Sequence, residues 1–466
     1  MRAWEYERHT RDIQIPRQLP SDDEALWENQ ADNVDKPLND AVKIYWGSET
    51  PGSLAREVLV VAAIQATENQ GRIVPNAEKL LMDGFTAMSS DDIVEVHRAT
   101  HALFEACRNA EVDESSEYWS YKLYESYEDY AYAVSFPDAV TIDMGDDLFD
   151  RVHAGWMAQV IGGAYGTCLE GYTTDGIMKA YGLVDKYVRK PNTYNDDVTY
   201  ELALLVAYEN NGANTTNHDI AYEWMSRIGF GWSAEDMALR NLRCGIMPPE
   251  SGRFNNPFCE WIGAQMRGVI CGQIWPGNPR EAAEAAFHDA EISHWHNGIL
   301  GEVFNAVLCS MAFYESDMRV LVWKAVELIP ADSQYRSVLD FALEQCKAHD
   351  NWLDAWRPCE KKLERYNWVH AYPNAAIEVI ALWFGGDDFT LTLEICGGCG
   401  QDVDCVAAQV MTVWATARGY EAIPGRWIEP LGDRLDTYMR GMKVLSVRQV
   451  SQRTCDVARR LCCSSR

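Results

Sequence analysis

Gly400-Gln401-Asp402-Val403-Asp404-Cys405-Val406-Ala407-Ala408 sets two carboxylates on a glycine-preceded turn and runs into an apolar stretch of helical period ending near Thr416. An acid at a helix start accepts backbone N–H bonds and complements the helix dipole, so either aspartate alone reads as a cap. In Asp-x-Asp on a turn, both side chains can face one cation. Ala407 and Ala408 would let the helix pack closely on a neighbour. A second acidic start, Tyr194-Asn195-Asp196-Asp197, precedes a helical run over 198–209. Four carboxylates at two helix starts can converge on a pair of hard divalent cations, which take oxygen ligands and can clamp sugar or phosphate oxygens. The other paired aspartates, at 22–23, 91–92, 146–147 and 387–388, read as helix caps or surface charge.

Outward from these motifs the period stays helical. Helices are predicted over 54–69, 93–104, 148–161, 198–209, 219–228, 234–243, 280–292, 301–314, 317–328, 337–349, 353–366, 374–383 and 403–416. Alternating strand patterns are scarce, so the fold class is all-α, with helices around one main core. The aromatic, acidic stretch 113–136 reads as a connector. It divides a helical N-terminal region, 1–140, from a motif-bearing domain, 141–445. The last stretch, 446–466, is basic and reads as a frayed or disordered tail.

Composition narrows the function. The 466 residues carry 41 basic and 70 acidic side chains, a formal charge of −29. Non-specific nucleic-acid binding needs cationic surface to displace counterions, and anionic membranes would repel this chain. No apolar stretch approaches the ~20 residues that span a bilayer. Met1-Arg2-Ala3-Trp4-Glu5-Tyr6-Glu7-Arg8 lacks a signal-peptide core, so a cytoplasmic location is expected. The fourteen cysteines are scattered through apolar helical segments and read as small buried hydrophobes. Cys396-Gly397-Gly398-Cys399 has zinc or redox spacing but no partner CxxC. His97 and His101 have helical metal spacing, but Arg98 stands where a catalytic acid would be.

From about Asp147 to Met442 four ordered motifs resemble those of the ADP-ribosylglycohydrolase family, which includes the dinitrogenase-reductase-activating glycohydrolases. Gly162-Gly163-Ala164-Tyr165-Gly166-Thr167-Cys168-Leu169-Glu170 resembles the family's opening Gly-Asp-x-x-Gly-x-x-x-Glu. Asn195-Asp196-Asp197 resembles its Thr-Asp-Asp. Gly263-Ala264-Gln265-Met266-Arg267, Ser293-His294 and Asn297-Gly298 resemble its central segments. Gln401-Asp402-Val403-Asp404-Cys405 with Ala407-Ala408 resembles its Gly-Asp-x-Asp-Thr-x-Ala-Ala helix.

The resemblance implies a multi-helix orthogonal bundle holding two Mg²⁺ ions, with Mn²⁺ as a substitute. It implies hydrolysis of an N- or O-glycosidic bond in an ADP-ribosylated protein or a ribosylated small molecule. Carried over by position, Asn195, Asp196, Asp197, Asp402, Asp404 and Cys405 would ligate metal. Glu170, Asp197 and Asp402 would be catalytic, and His294, Gln401 and Tyr194 would touch substrate. The chain departs from the pattern at Gly163 (for Asp), Asn195 (for Thr), Gln401 (for Gly) and Cys405 (for Thr). Thiol sulfur prefers softer metals than Mg²⁺. Two alternatives accompany the hydrolase: a catalytically silent relative that binds ADP-ribose or a partner protein, and a glycosidase of nucleoside-type small-molecule metabolism.

Overall fold

Helices with three- and four-residue apolar spacing must bury a stripe, and those apolar all round must be buried on every side. In a computed structural model, which describes residues 1–16, 18 and 27–464, the chain is all-α. Asp22 and Asp23 lie outside the described residues. Seven helices frame the acidic motifs. They are α1 (Asp146–Gly166), α2 (Asp196–Asn211), α3 (Asn297–Ala312), α4 (Ala371–Gly385), α5 (Phe389–Cys399), α6 (Val403–Arg418) and α7 (Val447–Ser464). Every residue of α3 is buried, as is nearly all of α6, so these two form the middle of the bundle.

α1 and α6 meet backbone to backbone, and glycine makes that possible. A Cβ at Gly162 would stand 2.4 Å from the Ala407 carbonyl oxygen, and one at Gly166 would stand 2.2 Å from Asp404 Cα. The glycines are one turn apart on one face, so the contact runs along both helices. It presses the end of α1 against the acidic start of α6. Gly166→Ala should therefore cost about 1–3 kcal/mol or more, because the atom it meets is backbone and cannot swing away. A denaturant midpoint unchanged from the parent would refute this contact.

Short antiparallel ribbons decorate the helices. β1 (Ser48–Glu49) pairs with β2 (Arg56–Glu57). β3 (Tyr172–Thr173) pairs with β4 (Gly400–Gln401) in the register Tyr172 to Gln401 and Thr173 to Gly400. The helix predicted from residue 54 begins at Leu59, because 48–57 is a hairpin turned at Pro51-Gly52. α5 is a helix that the periodicity did not reveal. It carries Cys396 and Cys399, both free and fully buried, and burial pushes both thiols up, which suits inert packing. His97 pairs with Asn39 across 2.9 Å, an ordinary surface contact.

Two expectations are corrected. The stretch 113–136 is more than a connector. Tyr118 donates to Glu260, Tyr124 to Asp332 and Tyr130 to the Leu328 carbonyl, tying it to the core. The basic end, expected as a frayed or disordered tail, is α7 up to Ser464. Val447, Val450, Cys455, Val457, Ala458 and Leu461 bury one face of it. Its Arg453 grips Glu209 of α2 through two bonds of 2.6 and 2.7 Å. Composition reads the charge on the outer face, whereas the apolar face decides the packing.

Candidate metal centre

The acidic motifs start α2 and α6, and their side chains meet. Asn195 caps α2, its Oδ1 accepting from the Asp197 backbone N–H at 2.7 Å, so the cap position is filled by Asn195, and Asp196 and Asp197 follow it in the first turn. Asp402 occupies the cap position of α6 but makes no side-chain cap bond. Its own N–H donates to Asn374 of α4 at 3.2 Å. A plain cap would spend its oxygens on backbone N–H groups, and Asp402 does not.

Ligand atoms of Asp196, Asp197 and Cys405 lie within 4.8 Å of one another, and so do those of Asp402, Asp404 and Cys405. The two groups share Cys405. Asp197 Oδ2, Asp402 Oδ1 and Asp404 Oδ1 are buried and have no hydrogen-bond partner. Among the described residues no lysine or arginine pairs with any of these four aspartates within 4 Å. Burial first, and then the neighbouring acids, push the carboxyls of Asp197 and Asp402 well up, and burial with Asp404 brings Asp196 up to about 6. Burial also raises Asp404. Like charges held together out of water need a counter-charge or protons. Unpartnered oxygens aimed at a common space, with no cationic side chain, fit hard divalent ions, two of which would balance four aspartates.

Glu170 joins from the turn that follows α1. Its N–H bonds the Gly166 carbonyl at 3.1 Å, and the next residue, Gly171, donates to the Gln401 carbonyl at 2.8 Å. The β3–β4 ribbon thus ties the end of α1 to the start of α6. The Glu170 carboxyl is buried and hydrogen-bonded with Asp404; burial, then Asp404 and Asp402, hold it well above the usual carboxylate range. Gln401, the other half of that ribbon, sits at φ +67°. A left-handed backbone suits glycine, which the family pattern places there, and costs an L side chain about 1–2 kcal/mol. Gln401→Gly should leave thermal stability equal or slightly raised while increasing KM for a ribosyl substrate. A KM that does not move would remove Gln401 from the binding surface.

The other motif residues fall in different places. Cys405 Sγ donates to Asp197 Oδ1 at 3.4 Å and lies 3.7 Å from Met266 Sδ. Burial and the surrounding aspartates push its thiol up, so it enters the cluster as a hydrogen-bond donor. Asn195 Nδ2 faces Asp404 Oδ2 at 3.4 Å. A Cβ at Gly163 would stand 3.0 Å from that Nδ2, beside a cavity of about 10 Å³ lined by Gln159, Thr193, Asn195 and Asp197.

His294, expected at the substrate, is corrected to a core residue. It is fully buried, its Nε2 accepts from the Ala264 N–H at 3.2 Å, and its Nδ1 pairs with Ser293 Oγ at 2.7 Å. Both ring nitrogens are used and no face is open. Its neighbour Arg267 is equally buried, bonded to Asp289, Glu235 and the Gly263 carbonyl, so this central segment is a buttress.

Tyr194 is half exposed, its ring 5.7 Å from that of Tyr438. Phe230 stacks on Tyr438 at 4.6 Å. After burial, Asp196 is the strongest influence raising the Tyr438 hydroxyl, which puts this aromatic group beside the acids. No local pattern linked Phe230 or Tyr438 to the motifs, because the partners are far apart in the chain.

The chain matches the family model described as ADP-ribosylglycohydrolase over residues 144–455. A solved structure titled "ADP-ribosylglycohydrolase-related protein complex" is similar at a TM-score of 0.50 and 18% identity, covering 68% of this chain and 99% of that one. No curated protein matches it.

Proposed function

The chain belongs to the ADP-ribosylglycohydrolase family, and from that premise we propose that it is a metal-dependent glycohydrolase cleaving the N- or O-glycosidic bond of an ADP-ribosyl or related ribosyl substrate. One observation carries this reading: three buried aspartates with unpartnered oxygens, Asp197, Asp402 and Asp404, gathered with the half-buried Asp196 and with no cationic side chain to balance them. Asp196, Asp197, Asp402 and Asp404 would hold two Mg²⁺, or Mn²⁺, and the ions would supply Lewis acidity and a template for ribose hydroxyls or water.

The residues divide the remaining work. Glu170, beside Asp404, would be ionised once divalent ions offset the neighbouring acids; as the bond from the anomeric carbon to the leaving nitrogen or oxygen breaks and water adds to that carbon, its carboxylate takes the water's proton and passes it to the departing atom. Asp197 and Asp402 orient that water and the sugar from opposite helix starts. Asn195 and Cys405 fix carboxylate orientation through the bonds to Asp404 and Asp197. Tyr194, Tyr438 and Phe230 offer flat faces for a ring of the substrate, with Gln401 at the rim. A cytoplasmic location accords with this substrate class, and no helix among the described residues is long and apolar enough to cross a membrane.

A second reading, a silent relative that binds ADP-ribose without turnover, draws on Cys405 and Gly163, where the chain departs from the family's hydroxyl and acid. Titration with Mg²⁺ and with Mn²⁺, with and without ADP-ribose, followed by a ribosyl-bond cleavage assay, separates the two. Metal binding with turnover supports the hydrolase. Metal binding and ADP-ribose binding without turnover of any ribosylated compound supports the silent reading. Absence of metal binding sinks the site.

A further inference from the structure

The hairpin of β1 and β2 precedes the family match, yet it reaches both rims of the acidic centre. Its turn is closed by Thr50 N–H to the Ala55 carbonyl at 2.8 Å and Leu54 N–H to the Thr50 carbonyl at 3.0 Å. On one side the tip lies on the segment that carries Glu170. A Cβ at Gly52 would stand 2.3 Å from Thr167 Cγ2, and one at Gly171 would stand 2.5 Å from Ala55 Cβ. Tyr172 Oη donates to the Ser53 carbonyl at 2.9 Å. Arg189 bonds both the Gly52 carbonyl and Cys168 Sγ, clamping the tip from outside.

On the other side the hairpin holds the loop that carries Phe230. Trp232 Nε1 donates to Glu57 Oε2 at 3.0 Å, and Tyr45, just before the hairpin, donates through Oη to Asp236 Oδ2 at 3.0 Å. Two residues before Trp232, Phe230 stacks on Tyr438, beside Asp196. One short ribbon therefore bridges the Glu170 rim and the aromatic rim.

The centre beneath is buried. Asp197, Asp402, Asp404 and Glu170 are 0%, 3%, 6% and 7% exposed. An anomeric carbon must come down among these acids, and its leaving group must point back out between the two rims. A leaving group that is part of a folded protein would bring that body against the exposed tip, whereas a small one would not. Leu54, at the tip, is 63% exposed and held at φ +63°, a conformation leucine avoids, so the tip keeps its shape against local preference.

Resting on the hydrolase reading above, we propose that the 48–57 hairpin is a barrier that selects free, small ADP-ribosyl compounds over ADP-ribosylated proteins. Its action is exclusion, a clash built against the wrong partner, with no bond to the right one.

The test compares matched pairs: an ADP-ribosylated amino acid and the same linkage on a folded protein, for both arginine- and serine-linked conjugates. Turnover is measured with Mg²⁺, and binding is measured by competition against labelled ADP-ribose. The parent chain should favour the free conjugate by at least about 100-fold in kcat/KM or affinity. Replacing Pro51–Leu54 by Asn-Gly, a two-residue turn that retains both strands, should narrow that ratio by at least about tenfold by raising the protein-linked value, with the free conjugate within about threefold. Leu54→Gly, which suits the backbone and removes only the tip side chain, should move the ratio in the same direction. A parent ratio near one overturns the barrier, as does an unchanged ratio in both variants while they still bind metal. A parent chain that binds and cleaves none of the conjugates overturns the hydrolase reading and the barrier with it.

Discussion

Asp404→Asn should abolish metal-dependent stabilisation while making the metal-free protein more stable. Asp404 lies buried among Asp402, Glu170 and Asp196, and its negative charge raises the carboxyls of all three. Removing that charge relieves repulsion in a poorly solvated space, so the melting temperature without metal should rise. With a divalent ion at about 100 times its Kd, the parent should gain about 2.7 kcal/mol of stability. Asp404→Asn should lose most of that gain, with metal affinity down by at least about 100-fold and ribosyl hydrolysis lost with it. Thermal unfolding with and without Mg²⁺ reads both effects. A variant that melts lower without metal and still responds to Mg²⁺ would assign Asp404 an ordinary structural role.

Glu170→Gln should separate chemistry from metal binding. The carboxyl hydrogen-bonds with Asp404 and belongs to neither of the two groups whose ligand atoms converge within 4.8 Å. Glutamine retains the shape and a hydrogen bond, and it cannot take a proton. The expected loss in kcat is about 10²–10⁴-fold, the usual contribution of a positioned general base, with KM and Mg²⁺ affinity within a few-fold of the parent. Single-turnover kinetics alongside a metal titration would check it. A fall in metal affinity matching the fall in rate would move Glu170 into the ligand set, and an unchanged kcat would remove it from the proton transfer.

Alone, Asp196-Asp197 and Asp402-x-Asp404 are indistinguishable from caps, since an acid in a first helical turn has the same local reward in either role. Their order along the chain with the Gly162–Glu170 stretch raised them to ligand candidates, and the structure brings all five carboxyls together. His294 belonged to the same ordered pattern and went the other way, into the core beside Arg267. A motif residue can persist for packing as well as for contact, and the chemistry of the side chain does not tell them apart.

Helical class and the acidic motifs were legible because both rest on local rules: a 3.6-residue apolar period, and carboxylates one or two positions apart at a helix start. The chain by itself also marked Ala407 and Ala408 as residues that let a helix pack closely, and it placed Gly162 and Gly166 in the opening motif without saying what they meet. Tertiary structure alone decided that they meet Ala407 and Asp404, that Tyr172 pairs with Gln401, and that the 48–57 hairpin joins the segments that carry Glu170 and Phe230. Each of these joins residues whose separation along the chain carries no periodic signal. They are fixed instead by which buried faces can fill one another's space, and by which polar groups must find partners once water has been excluded.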